Sequence, residues 1–261
     1  MSTRPDIPTT GALATDHDGR VAGDRLAPAA DGAVAPPSRW RIARVTDPSD
    51  PLFKPRLRGW IHAVMVPLTL VAGIVLIVLA PGTALTWASV VYSTTGLLLF
   101  GVSATYHLVQ WNEQVSLVLK RLDHTNIMLV IAGTYTPLSI ALLPQDKALL
   151  LLSLVWGGAI VGVLFRVFWT HAPRWLYTPV YVCLGLAALL YIGDFFAANV
   201  PAAVLICAGG AAYIVGAVFY ALKAPSLHKE WFGFHELFHA FTVGGFVCHY
   251  IAIMFGVLGA G

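Results

Sequence analysis

Residues 60–80, WIHAVMVPLTLVAGIVLIVLA, run for 21 positions without a single Asp, Glu, Lys or Arg. A hydrocarbon layer about 30 Å thick is crossed by about 20 such residues in a helix, so this stretch reads as a membrane span. Six more runs of comparable length and apolarity follow at approximately 84–109, 121–143, 147–169, 175–193, 201–222 and 234–258. Connectors this short make successive helices antiparallel neighbours, and the expected fold is all-α, one integral membrane bundle of seven transmembrane helices. No internal repeat is visible.

The wider composition agrees. Of 261 residues, 57% are apolar and 11% charged, far from the balance of a water-soluble domain. The net charge of +3 is too small and too scattered for nucleic-acid binding, which needs a clustered basic face. Cys183, Cys207 and Cys248 sit in apolar runs without close spacing, so they read as buried packing residues rather than disulfide or thiolate-metal partners. Upstream, residues 1–50 are rich in Pro, Ala, Gly and Asp and lack apolar periodicity. They read as a disordered cytoplasmic leader ahead of a membrane domain at 51–261. No apolar run precedes Trp60, so the first span itself is expected to direct insertion.

Orientation follows from the basic residues. With the N-terminus cytoplasmic, that side holds the nine of the leader region plus Lys120, Arg121, Arg166, Arg174, Lys223 and Lys229, and the other side holds only Lys147. This asymmetry satisfies the positive-inside rule and puts the C-terminus outside.

Within that frame the ionisable residues share one depth. Ser103 and His107 lie near the end of span two, Asp123 and His124 open span three, His235, Glu236 and His239 open span seven, and His62 starts span one. All fall at the cytoplasmic end, and polar groups at such depth face a cavity or mark function. Ser103 and His107 are four apart, as are His235 and His239, which puts each pair on one helix face about 6 Å apart along the axis. Three imidazoles from two helices, with a fourth position left open, make the ligand set of a catalytic zinc. Iron or nickel would also accept them, whereas magnesium and calcium prefer oxygen ligands. Asp123 is placed to orient a ligand or to hydrogen-bond a water at the metal, against the plainer alternative of a boundary ion pair with Lys120 and Arg121. His62 and His124 read most simply as interfacial residues, and His249 as an interhelical hydrogen-bond partner.

His235-Glu236-Leu237-Phe238-His239 also matches H-E-x-x-H, the metalloprotease signature in which the glutamate acts as base. The acidic third ligand such an enzyme would draw from a late span is available only from Asp194, which the orientation count puts a bilayer away. His107 supplies a third ligand at the right depth.

Ser103-Ala104-Thr105-Tyr106-His107, Leu122-Asp123-His124, Ala132-Gly133-Thr134-Tyr135-Thr136-Pro137 and the His235/His239 pair together resemble the hemolysin III family, the bacterial branch of the superfamily that includes progestin and adiponectin receptors. The likeness covers roughly residues 50–258. It implies a cytoplasmic-side zinc on His107, His235 and His239, with Ser103 and Asp123 as catalytic residues around a water at the metal. It further implies a multi-pass protein of the cell membrane whose partners are membrane lipids, acting in lipid homeostasis and as an amide or ester hydrolase. The family name suggests a cytolytic pore as the rival activity, and a receptor with a structural zinc is a third. Arg58 departs from the asparagine common in the family before the first-span histidine, which His62 matches.

Overall fold

The computed structural model describes residues 55–168, 174–228 and 230–260. The leader at 1–50 lies outside the described residues. Among the described residues eight α-helices follow in order: α1 (Trp60–Leu79), α2 (Gly82–Leu108), α3 (Glu113–Leu142), α4 (Gln145–Phe168), α5 (Arg174–Gly185), α6 (Ile192–Ala198), α7 (Val200–Leu222) and α8 (Phe234–Gly259). A 3-10 segment, Leu186–Tyr191, joins α5 to α6, and the stretch Val180–Ala198 acts as the fifth of seven helices long and apolar enough to cross a membrane. Among the described residues there is no strand beyond one bridge between His228 and Phe232. The protein is thus an all-α, seven-span membrane bundle.

Two boundaries differ from the sequence expectation for physical reasons. Helix α3 starts eight residues earlier than its apolar run, because Asn112 caps it: the Asn112 side chain accepts from the Val115 N–H at 2.9 Å. The fifth span is not one continuous helix. At its 3-10 segment the Tyr135 hydroxyl of α3 donates to the Gly185 carbonyl and accepts from the Ala188 N–H, both at 2.8 Å. That hydroxyl supplies partners to backbone groups a regular helix would have paired internally, which is the condition for breaking a helix in lipid.

Helix α3 is the hub. It packs against α2, α4, α5, α6 and α8, and 67% of its apolar window is buried, against 28% in α1, α4 and α7. Its neighbours are tied by polar bonds: Asn126 donates to the Leu98 carbonyl at 2.9 Å and Trp156 to Thr136 Oγ1 at 3.1 Å. Such interhelical bonds contribute on average about 0.6 kcal/mol each. Helices α7 and α8 approach closely at Gly209 and Gly245, where a Cβ on either would stand 3.0 Å from the other's carbonyl oxygen. His249 bonds the Ile206 carbonyl there at 3.2 Å, the interhelical role expected of it. The cysteines are free, but Cys183 and Cys207 are exposed and Cys248 is half-buried, a correction to their expected burial: on a span wrapped by hydrocarbon, an apolar thiol gains nothing by turning inward.

Candidate metal centre

Helix ends bring the site together. His107 is the penultimate residue of α2, His235 the second of α8 and His62 the third of α1, so all three stand at the same end of the bundle. Asp123 lies ten residues into α3, at the level where α3 passes the end of α2. The four-residue spacing keeps His239 on the His235 face one turn deeper, and His239 is buried.

The three imidazoles converge. His107 Nε2 and His235 Nε2 are 3.2 Å apart, and one ligand atom from each of His107, His235 and His239 falls within 4.8 Å of the others. Ring centroids are separated by 4.7 Å for His107 and His235, 4.6 Å for His235 and His239, and 5.3 Å for His107 and His239. These three residues could hold a metal ion. Tetrahedral coordination at a zinc–nitrogen distance of 2.0–2.1 Å places ligand nitrogens roughly 3.4 Å apart. The observed 3.2 Å approach is close to that edge, and all three ligand atoms lie within 4.8 Å of one another. His239 Nδ1 is buried without a hydrogen-bond partner, so the ring is not committed elsewhere through that atom.

Asp123 Oδ2 lies 3.9 Å from His107 Nε2, and Ser103, fully buried four residues before His107, lies near enough to the Asp123 carboxylate to interact with it. Asp123 therefore turns toward the histidines rather than serving only the boundary charges Lys120 and Arg121. Tyr106 and Tyr220 wall the cluster, with ring centroids 4.7 Å from His107 and 5.4 Å from His235 respectively. His124, by contrast, bonds its own helix at the Lys120 carbonyl, 2.7 Å away.

Glu236, the glutamate of the H-E-x-x-H match, is wholly buried and fully used. Its Oε1 accepts from Arg58 Nε, and its Oε2 accepts from the Gly233 N–H at 2.8 Å, closing the first turn of α8. A carboxylate held by a guanidinium on one oxygen and a helix cap on the other is not free to act as a base. Asp194 pairs with Lys147 Nζ at 2.6 Å, and the first residues of α4 lie beyond the far end of α3, roughly 28 Å along the axis from Asp123. It does not reach the cluster.

Sequence reading missed two contributors. His62 is buried, not interfacial: its ring stacks on His239 with centroids 3.8 Å apart and planes 15° from parallel. Arg58 enters as the partner of Glu236. The buried glutamate was the available signal, because an acid at that depth requires a counter-charge.

Comparison with known proteins gives a consistent result. A family model described as haemolysin-III related matches residues 51–250. The hemolysin-3 homolog of Bacillus subtilis (strain 168) is 29% identical over 198 residues, covering 74% of this chain and 90% of that protein. Hemolysin-3 of Bacillus cereus is 31% identical over 202 residues, 76% of this chain and 89% of that protein. The heptahelical transmembrane protein ADIPOR2 of Oryza sativa subsp. japonica is 28% identical over 185 residues, 64% and 80% of the two chains.

Proposed function

The chain belongs to the haemolysin-III related family as a multi-pass plasma-membrane protein, and from that premise we propose that it is a zinc-dependent membrane hydrolase acting on lipid amides or esters. The observation that carries this reading is the convergence of three imidazole nitrogens within 4.8 Å, with a carboxylate oxygen 3.9 Å from His107 Nε2. His107, His235 and His239 would hold the ion. Neutral nitrogen ligands leave its charge uncompensated, so when bound it supplies Lewis acidity toward a carbonyl and toward water.

The chain's own residues have separable tasks. Asp123 is the proton acceptor for a water attacking at the centre, and afterwards the donor to the leaving group. Ser103, beside that carboxylate, would fix which way its free lone pairs point. Tyr106 and Tyr220 exclude bulk water from the two outer histidines. The substrate would come from the surrounding bilayer, so lipids are the partners and the chemistry would bear on lipid homeostasis. The same reading holds residues 1–50 to be a cytoplasmic leader separate from the membrane domain at 51–261, with the metal at the cytoplasmic face and the C-terminus outside.

The test is purification in mild detergent, metal analysis, and lipid profiling of membranes carrying wild type or His235→Ala in parallel. Zinc in wild type and a lipid class that accumulates only with His235→Ala support the proposal; wild-type protein free of zinc after refilling ends it. Zinc retained without any lipid change favours a receptor or regulator with a structural metal. The names of the Bacillus relatives favour a cytolytic reading, which instead requires dye release from liposomes that His235→Ala does not abolish.

A further inference from the structure

The approach to α1 and the first turn of that helix touch His107, His239 and the residue next to His235 while contributing no proposed ligand. Residues 55–60 form a tight turn, with the Arg58 N–H on the Pro55 carbonyl at 3.0 Å and the Trp60 N–H on the Leu57 carbonyl at 3.1 Å. The turn is fastened to the loop ahead of α8 by two backbone bonds, Arg56 N–H to Glu230 O at 2.9 Å and Leu57 N–H to Trp231 O at 3.3 Å. The Arg56 guanidinium also sits over the Trp231 ring at 4.7 Å.

From this mount three contacts extend to the cluster. Gly59, at φ +83°, lies so close to α2 that a Cβ there would stand 2.9 Å from His107 Cβ and 3.0 Å from Leu108 Cγ. Arg58 holds Glu236, the residue after His235. His62 lies flat on His239, and its own ring is steadied edge-on by Phe100 at 5.1 Å. Both nitrogens of His62 are buried and make no hydrogen bond, so what His62 does for its neighbours it does as a flat ring.

We infer that residues 58–62 are a positioning clamp for the metal centre, in which Gly59, Arg58 and His62 set the orientation of His107, His235 and His239 respectively. The inference rests on the proposed metal centre and adds to it the claim that the first span, which supplies no ligand, determines how tightly the metal is held. Three ligands from two helix ends have three rings to orient: residues 58–62 meet His107 and His239 directly and reach His235 through Glu236, its neighbour in α8. Misorientation of one ligand by a changed supporting residue typically weakens metal binding about 10 to 100-fold.

The experiment measures zinc affinity by competition with a chelator in detergent, and the visible absorption of the cobalt-loaded protein, for wild type, His62→Leu, His62→Phe and Gly59→Ala. Melting of each metal-free protein is followed alongside. His62→Leu and Gly59→Ala should bind zinc about 10 to 100-fold more weakly and shift the cobalt bands, whereas His62→Phe, which preserves a flat ring, should stay within about threefold of wild type. Variants that melt earlier but bind zinc with wild-type affinity and an unchanged cobalt spectrum would reduce the turn to a structural element and overturn the clamp, leaving the metal centre intact. Wild-type protein that binds neither zinc nor cobalt would remove the metal centre and the clamp with it. Should Gly59→Ala fail to accumulate, the Leu and Phe variants of His62 decide the matter between them.

Discussion

Replacing Glu236 by Gln separates the two readings of the H-E-x-x-H segment. In the structure the carboxylate is inaccessible to solvent and divides its oxygens between Arg58 Nε and the Gly233 N–H. The amide keeps an acceptor for the helix cap but loses the charge that the guanidinium faces. A hydrogen bond to a charged group contributes about 1.5–3 kcal/mol, and the Arg58 side chain, 18% exposed, recovers part of the loss through water. Glu236→Gln should therefore cost about 1.5–2 kcal/mol of stability while retaining full zinc stoichiometry at saturating metal. Arg58→Ala is the harsher change, because it strands a buried carboxylate, and should cost about 3–5 kcal/mol. The double variant should fall well short of the sum, with a coupling of about 1–3 kcal/mol, since each change removes the same contact. SDS-induced unfolding of the four proteins in mixed micelles provides the numbers. If Glu236→Gln were as stable as wild type and Arg58→Ala merely additive with it, the glutamate would not be locked. If lipid turnover disappeared at the same time, Glu236 would be the base, and the assignment of that role to Asp123 would be wrong.

Removing His107 as His107→Ala should abolish stable zinc binding, read by metal analysis after gel filtration; full occupancy would sink the three-histidine set. Asp123→Asn should keep most of the zinc and lose hydrolysis by two or more orders of magnitude in a lipid turnover assay, because the amide cannot accept the proton. Reporter domains fused after residue 50 and after Gly261 should report opposite sides of the membrane, the former cytoplasmic; both on one side would undo the common-depth argument. Deleting residues 2–40 should leave zinc stoichiometry unchanged, since every proposed ligand lies at or beyond His107, and loss of metal from the folded truncated protein would refute the separation of leader from membrane domain.

The seven spans were legible because a bilayer imposes a single length on apolar runs, and the run at 60–80 reappears as α1 (Trp60–Leu79) almost residue for residue. The misplacements have one cause. Apolarity marks the hydrocarbon-crossing part of a helix, whereas its ends are set by capping and by partners elsewhere in the bundle. Asn112 extends α3 into polar sequence, and Tyr135, some fifty residues away in sequence, breaks the fifth span. Adjacent glycines show the same limit: of Gly157 and Gly158 a Cβ would meet a neighbour only on the second, Leu184, and of Gly209 and Gly210 only on the first, His249 and Gly245. Sequence supplies the pair, but the rotation of the helix selects the member that is used.

At the site, the residues that spacing could relate came out together and those that only the fold could relate did not. His235 and His239 are linked by helical periodicity, and His107 joins them through orientation and depth, which are one-dimensional quantities readable along the chain. Arg58 and Glu236 are separated by 178 positions, and no periodicity connects them. Depth alone placed His62 at the level of the histidines but could not say whether its ring faced lipid headgroups or His239. Those are the contacts by which the first span reaches the histidine cluster of the second and seventh. Depth in a membrane bundle thus selects which side chains are able to meet, and rotation about each helix axis, which the buried small residues and the Gly59 turn set here, selects which of them do.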